Sequence, residues 1–302
     1  MLTPLRTRIT AVNTWVAAHP PPGPFRAGFW RSPIRGPWLT SVLGVILLVG
    51  IPVMFLTGLL SYLAYNPWLP GNDGRHGSGV LTFVPFHWPT APAWGYGLSQ
   101  GLHVTLGVVL VPVVLAKLWS VIPKLFVWPP VGSPAQALER LSLFLLVGGA
   151  VLTFATGLLN IQYWYRFPGS FYVLHFYGAW VFVASAAAHV FLKIPHLRAA
   201  LRERRLRDEL RTDLAATTPE PYVVGGLVSA APAPPSISRR GALGLVGAAS
   251  LSGLVVIGPQ TVGGPLRRLA LLAPRGGYDL GDGPDDFPVN TTAAEATNTQ
   301  AP

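Results

Sequence analysis

An all-α integral membrane fold, four transmembrane helices in a bundle followed by a fifth, is what this sequence predicts, and three observations carry the prediction. Among 302 residues only 22 are Lys or Arg and 12 are Asp or Glu, while half are apolar or aromatic, which is far from the composition of a soluble domain. The stretches 39–65, 141–165, 167–192 and 241–266 contain no charged residue, and about 20 apolar residues suffice to cross a bilayer. Cysteine is absent, which excludes disulfides, zinc thiolate sites, iron–sulfur clusters and thiol nucleophiles. Any metal chemistry is left to the seven histidines.

Taken in chain order, the spans fall at about 39–65, 98–122, 141–165, 170–193 and 241–262. Pro52 and Pro112 interrupt the first two, and helices in lipid tolerate such interruptions better than soluble ones. Aromatic residues stand where membrane interfaces are expected: Trp38, Tyr62, Tyr65 and Trp68 around the first span, Trp119 and Trp128 after the second, Tyr163, Trp164 and Tyr165 closing the third. The stretch 197–212, with Leu197, Leu201, Leu206 and Leu210 among Arg and Glu, reads as a charged surface helix, and the Ala/Pro/Thr composition of 214–238 reads as a flexible linker. No internal repeat is evident along the chain. The organisation expected is therefore a basic segment (1–37), a four-helix membrane bundle (38–196), a charged helix and linker (197–238), a fifth span (239–264) and a tail (265–302).

Cytoplasmic segments of membrane proteins are enriched in Lys and Arg. The first 37 residues hold Arg6, Arg8, Arg26, Arg31 and Arg35 and no acid, which puts the N-terminus inside. Lys117, Lys124 and Arg140 put the second connection inside, and the basic run from Lys193 to Asp213 does the same for the fourth. Arg239 and Arg240 then open the fifth span from the inside, leaving the C-terminus outside a bacterial cytoplasmic membrane. The net charge of +10 is accounted for by these membrane ends, with no nucleic-acid partner needed.

Three histidines fall inside spans: His103, His175 and His189. Ionisable side chains at membrane depth are costly and mark function. The second and fourth spans run in the same direction, so His103 and His175 lie at similar depth near the outer face and can meet across a bundle. His189 follows His175 by 14 residues, about 21 Å of helix rise on nearly the same face. That arrangement suits stacked haems, each taking an axial imidazole from two helices. Gly107, Gly178 and the Ala/Ser run 184–188 offer room for a macrocycle or for close helix packing.

Neither the first nor the third span has a histidine, so His189 lacks a second imidazole. Lys117 follows His103 by the same 14 residues and suits a propionate contact, an interfacial charge or a quinone site. Arg75 and Arg166, outside, suit propionates of an outer haem. His19 could fold back to the inner face, while His76, His87 and His196 read as surface residues.

The fourth span, with His175 and His189, resembles the dihaem cytochrome b subunit of formate dehydrogenase. The strings GPWLTSVLGVILLVGIP, GLHVTLGVVLVPVVLAKLWSVIPKLF, LNIQYWY and FYVLHFYGAWVFVASAAAHV more closely resemble the N-terminal membrane half of bacterial molybdopterin-dependent, sulfite-oxidase-like oxidoreductases. SRRGALGLVGAASLSG is similar to a twin-arginine export signal. The resemblance implies a cytochrome b-like bundle with one haem b, or two, passing electrons between an extracytoplasmic molybdopterin or other redox domain and quinone or another membrane carrier. Molybdopterin itself is not expected in this chain, because the acidic, polar residues after Arg275 have no core-forming pattern. The chain is thus expected to lack a complete catalytic domain. The rival expectations are a haem-free anchor that tethers and exports an outer domain, and a transporter, which a repeat or mid-membrane acids would have favoured.

Overall fold

The computed structural model describes residues 14–16, 18–65, 92, 94–129, 133–160, 171–262 and 264–269. Five long helices carry it: α1 (Pro37–Tyr65), α2 (Trp94–Val121), α3 (Pro134–Asn160), α4 (Phe171–Glu203) and α5 (Arg239–Val262). All five are long and apolar enough to cross a membrane, and the described residues contain no strand. The all-helical, multi-span expectation is met.

The helix boundaries differ from the hydropathy limits where local capping overrides charge. Helix α3 starts well before residue 141, because Ser133 accepts the Gln136 N–H (3.1 Å) and Pro134 occupies the first helical position, where its missing N–H costs nothing. Arg140, inside this first stretch, donates to the carbonyls of Lys124, Leu125 and Val127 at the end of the preceding turn. Helix α4 continues through Pro195 to Glu203, so the charged segment is not one separate helix: its first part belongs to α4, and a single turn follows at Leu206–Glu209. Helix α5 begins where Ser238 accepts the Gly241 N–H (3.0 Å).

Residue contacts make α1–α4 an up-down-up-down bundle. Helix α1 lies antiparallel to α2 (Gly58 beside His103, Thr40 beside Ser120) and to α4 (Phe55 on Trp180, Tyr62 on Phe176). Helix α3 lies antiparallel to α4, with Gly149 against Phe182 and Gly157 against His175. Helices α2 and α4 therefore stand diagonally and parallel. Helix α5 packs on the outside of α2, Gly253 against Val108 and Gly258 near Thr105. Small residues at these crossings let the backbones approach, which matters because lipid gives no hydrophobic drive between helices. Phe144, Phe191 and Leu138 on the outer surface are more than two-thirds exposed, as lipid-facing side chains are.

The bundle has two chemically distinct ends: a histidine end at His103 and His175, and a lysine end at Lys117. At the lysine end Trp38 is buried rather than placed in an interfacial belt, its indole donating to Arg204 O (2.9 Å). Residues 214–238 form no regular element, as their composition predicts, yet Thr217, Glu220, Val228 and Ser238 are buried. The anchoring group is Glu220, whose carboxylate accepts the Trp38 N–H at the start of α1 (3.2 Å). An anion at a helix N-terminus satisfies an otherwise orphan donor and meets the positive end of the helix dipole. Trp68, Tyr163, Trp164 and Tyr165 lie outside the described residues.

Candidate functional site

His103 on α2 and His175 on α4 face each other across the bundle. Their ring centroids are 5.9 Å apart and their planes perpendicular. Each Nδ1–H donates to a backbone carbonyl of the adjacent antiparallel helix: His103 to Met54 O and His175 to Thr153 O, both at 2.8 Å. A carbonyl only accepts, so the proton sits on Nδ1 and each Nε2 keeps its lone pair, with the orientation and tautomer fixed as in second-shell control of metal-bound imidazole.

The two seats are built alike. Thr57 Oγ1 lies 3.4 Å from His103 Nδ1 while its hydroxyl donates to Val53 O (2.8 Å); Thr156 Oγ1 lies 3.5 Å from His175 Nδ1 while its hydroxyl donates to Leu152 O (2.6 Å). Beneath the rings are glycines. A Cβ on Gly58 would stand 2.7 Å from His103 Cε1, and one on Gly157 would stand 2.9 Å from His175 Cε1. Only glycine leaves each imidazole its place.

This likeness exposes an internal repeat that reading along the chain does not show. MFLTGLL (54–60) on α1 matches TFATGLL (153–159) on α3, and Leu102-His103 with Ile122-Pro123-Lys124-Leu125 matches Leu174-His175 with Ile194-Pro195-His196-Leu197. The packing repeats as well, since Gly50 meets Leu110 where Gly149 meets Phe182. The two hairpins have connections of very different length, 66–93 against 161–170, so the first helices are offset by 99 residues and the second by 72. A search for one fixed period misses such a repeat. The T-G pair followed by Leu-Leu was the signal that could have found Thr57, Gly58, Thr156 and Gly157.

Of the small residues beside the histidines in sequence, Gly178 serves close helix packing. Gly178 fits against Thr153 Oγ1 and Leu152 of α3, and Gly107 meets only Met54, while Ala184, Ala187 and Ala188 are exposed.

At the lysine end Lys117 donates to Thr40 O (2.6 Å), beside Gly44. Thr40 donates to Ser120 (3.0 Å), which donates to Lys117 O (2.7 Å). His189, the repeat counterpart of Lys117, is half-buried. His19 stacks on Trp15 and bonds to its carbonyl (2.8 Å), and His196 is exposed. Arg75, Arg166, His76 and His87 lie outside the described residues.

Arg239 and Arg240, alike in sequence, differ in place. Arg240 is exposed. Arg239 is 1% exposed, donates to Thr218 O (2.9 Å) and pairs with Glu209 (3.5 Å) and Glu220 (3.9 Å), while Glu209 also pairs with Arg204. Two cations and two anions thus close the lysine end and tie α5 to α1.

Among the described residues no group of three or more His, Asp or Glu side chains could hold a bare metal ion. The two facing imidazoles could hold a metal group that brings the rest of its own ligands. The buried hydroxyls of Ser61, one turn beyond Gly58, and Thr153 have no hydrogen-bond partner among the described residues. They leave polar capacity around the pair. No known family, no curated protein and no solved structure matches the chain.

Proposed function

We propose that the chain is a haem b electron-transfer subunit of a membrane oxidoreductase, with His103 and His175 as the residues that would hold the haem iron. The observation that carries this reading is the pair of imidazoles on diagonal helices, 5.9 Å apart, each locked by Nδ1 on a carbonyl, with no hydrogen bond at Nε2 among the described residues. When bound, haem supplies a one-electron couple in the low-dielectric layer. The chain's own part is to hold the ring orientations, to raise imidazole basicity through the two carbonyl acceptors, and to keep the site inside the bundle. The basic residues at the lysine end support placing that end in the cytoplasm and the histidine end outside. Electrons would pass between an extracytoplasmic redox domain, of the molybdopterin kind that the sequence resemblance suggests, and quinone or another membrane carrier.

The repeat removes one argument against a transporter. The other stands, because the described spans hold acids only near their ends, at Glu139 and Glu203, whereas transporters place charged or broken segments at mid-membrane. A reduced-minus-oxidised spectrum with pyridine haem quantitation tests the proposal. The expected result is a b-type α band with haem bound to the chain, and its loss in His103→Ala and in His175→Ala. Normal haem content in both variants would sink the ligand assignment, and no haem in protein made with ample haem supply would leave a membrane anchor.

A further inference from the structure

We propose that Thr57 and Thr156 are positioning residues of the histidine pair: each hydroxyl oxygen gives an imidazole Nδ1–H a second acceptor beside the carbonyl, and so sets how strongly Nε2 donates electrons to a bound metal group. This role deepens the haem reading, on which it rests for the identity of that group, and names what regulates it. Each hydroxyl has a single proton and two carbonyls of its own helix within reach. Thr57 Oγ1 is 2.8 Å from Val53 O and 3.1 Å from Met54 O, and Thr156 Oγ1 is 2.6 Å from Leu152 O and 3.2 Å from Thr153 O. The shorter contact decides where the proton goes. In both seats it goes to the carbonyl four residues back, which leaves Met54 O and Thr153 O to the imidazoles that donate to them at 2.8 Å. The hydroxyl oxygen then has lone pairs to offer, and the N–H that faces it is the histidine's, at 3.4 Å for His103 and 3.5 Å for His175. Each Nδ1–H is thus shared, with a short arm to the carbonyl and a long arm to the hydroxyl.

A hydroxyl that bonds back to its own helix is ordinary in a membrane span, and Ser252 on α5 does so to Ala248 O (2.9 Å) at an exposed position. Three features set Thr57 and Thr156 apart. Both are more than nine-tenths buried, where a polar contact is not diluted by water. Both precede the glycine that leaves the ring its place, Gly58 for His103 and Gly157 for His175. The arrangement also occurs twice, on two hairpins that otherwise differ over most of their sequence. The consequence is electronic. An acceptor on Nδ1–H moves charge toward Nε2 and makes the imidazole a stronger donor, and a stronger donor favours the oxidised, more positive metal, which lowers the reduction potential. The carbonyl arm supplies most of this effect, and the hydroxyl arm adds to it from both sides of the pair. Valine keeps the branched shape of threonine without the oxygen, so Thr57→Val and Thr156→Val remove the long arm alone.

The test is spectropotentiometric titration of the full-length protein in nanodiscs, with pyridine haem quantitation on the same samples. Thr57→Val and Thr156→Val should each keep haem and raise its midpoint potential, so that at a fixed poise the ratio of reduced to oxidised haem grows about two- to tenfold, the net worth of one hydrogen bond. The double variant should shift that ratio by the product of the two factors. Thr57→Ser and Thr156→Ser, which keep the oxygen, should stay at the wild-type potential, as should Ser252→Ala. In the reduced, diamagnetic protein the His103 Nδ1–H proton resonance should move upfield in Thr57→Val, which reports the lost acceptor directly. Unchanged potentials in both valine variants with haem still bound would overturn the tuning role and leave haem binding standing. Loss of haem from the valine variants, with the remainder at the wild-type potential, would overturn it too and make the threonines packing residues. No haem in the wild type would remove the electron-transfer reading, and this role with it.

Discussion

Replacing Gly58 by alanine adds one methyl group to α1, and the consequence can be worked from distances. The new Cβ would stand 2.7 Å from His103 Cε1 and 3.0 Å from Nδ1, against an ordinary separation of about 3.5 Å between carbons. The imidazole must therefore move by about 0.8 Å. It is held by the Nδ1–H bond to Met54 O at 2.8 Å, and a displacement of that size takes the bond toward the limit of useful geometry. Loss of such a supporting bond on a metal-bound histidine typically costs about 10- to 100-fold in metal affinity. Helix stability works in the opposite direction, since alanine is better than glycine in a helix interior by about 0.5–1 kcal/mol. A folded protein with depleted haem is thus the expected outcome. Gly157→Ala, with its Cβ 2.9 Å from His175 Cε1, should act in the same way but less strongly, and Gly148→Ala, which meets nothing within 4 Å, should be neutral. Haem per chain by pyridine extraction, after washing with apomyoglobin as a haem acceptor, measures the series. Equal haem retention in all three variants would refute the glycine-seat reasoning.

Two further predictions concern the lysine end. Burial lifts the Glu220 carboxyl above its ordinary range, against the opposing pull of the Trp38 N–H and Arg239. The folded chain therefore holds this proton to higher pH than the unfolded chain does, and stability falls as pH rises from about 4.5 through the raised value, then levels. Glu220→Gln should flatten that part of a melting-temperature profile in detergent; an unchanged slope would remove Glu220 as its cause. Arg239→Ala breaks a buried pairing and should cost about 3 kcal/mol or more, while Arg240→Ala, at an exposed position, should cost less than about 0.5 kcal/mol. Comparable melting temperatures for the two variants would show that the buried ion pairs do not secure α5.

The sequence by itself determined the spans and the chemistry available to them, because hydropathy, missing charges and missing cysteine are local properties that read directly as solvent preference. His103 and His175 were legible for the same reason: an imidazole in an apolar span stands out, and helix rise fixes its depth. Their seats were not legible. Thr57, Gly58, Thr156 and Gly157 lie on other helices, tens of residues away, and become supports only when antiparallel packing sets one turn of α1 against His103 and one of α3 against His175. Residues 214–238 show the converse limit, since their composition describes a linker while Glu220 is drawn under α1 by the Trp38 N–H and a buried arginine. Composition records what each residue prefers as its surroundings. Which residue meets that preference was decided by the tertiary structure, because contacts between helices depend on register and direction, neither of which is written in any one segment.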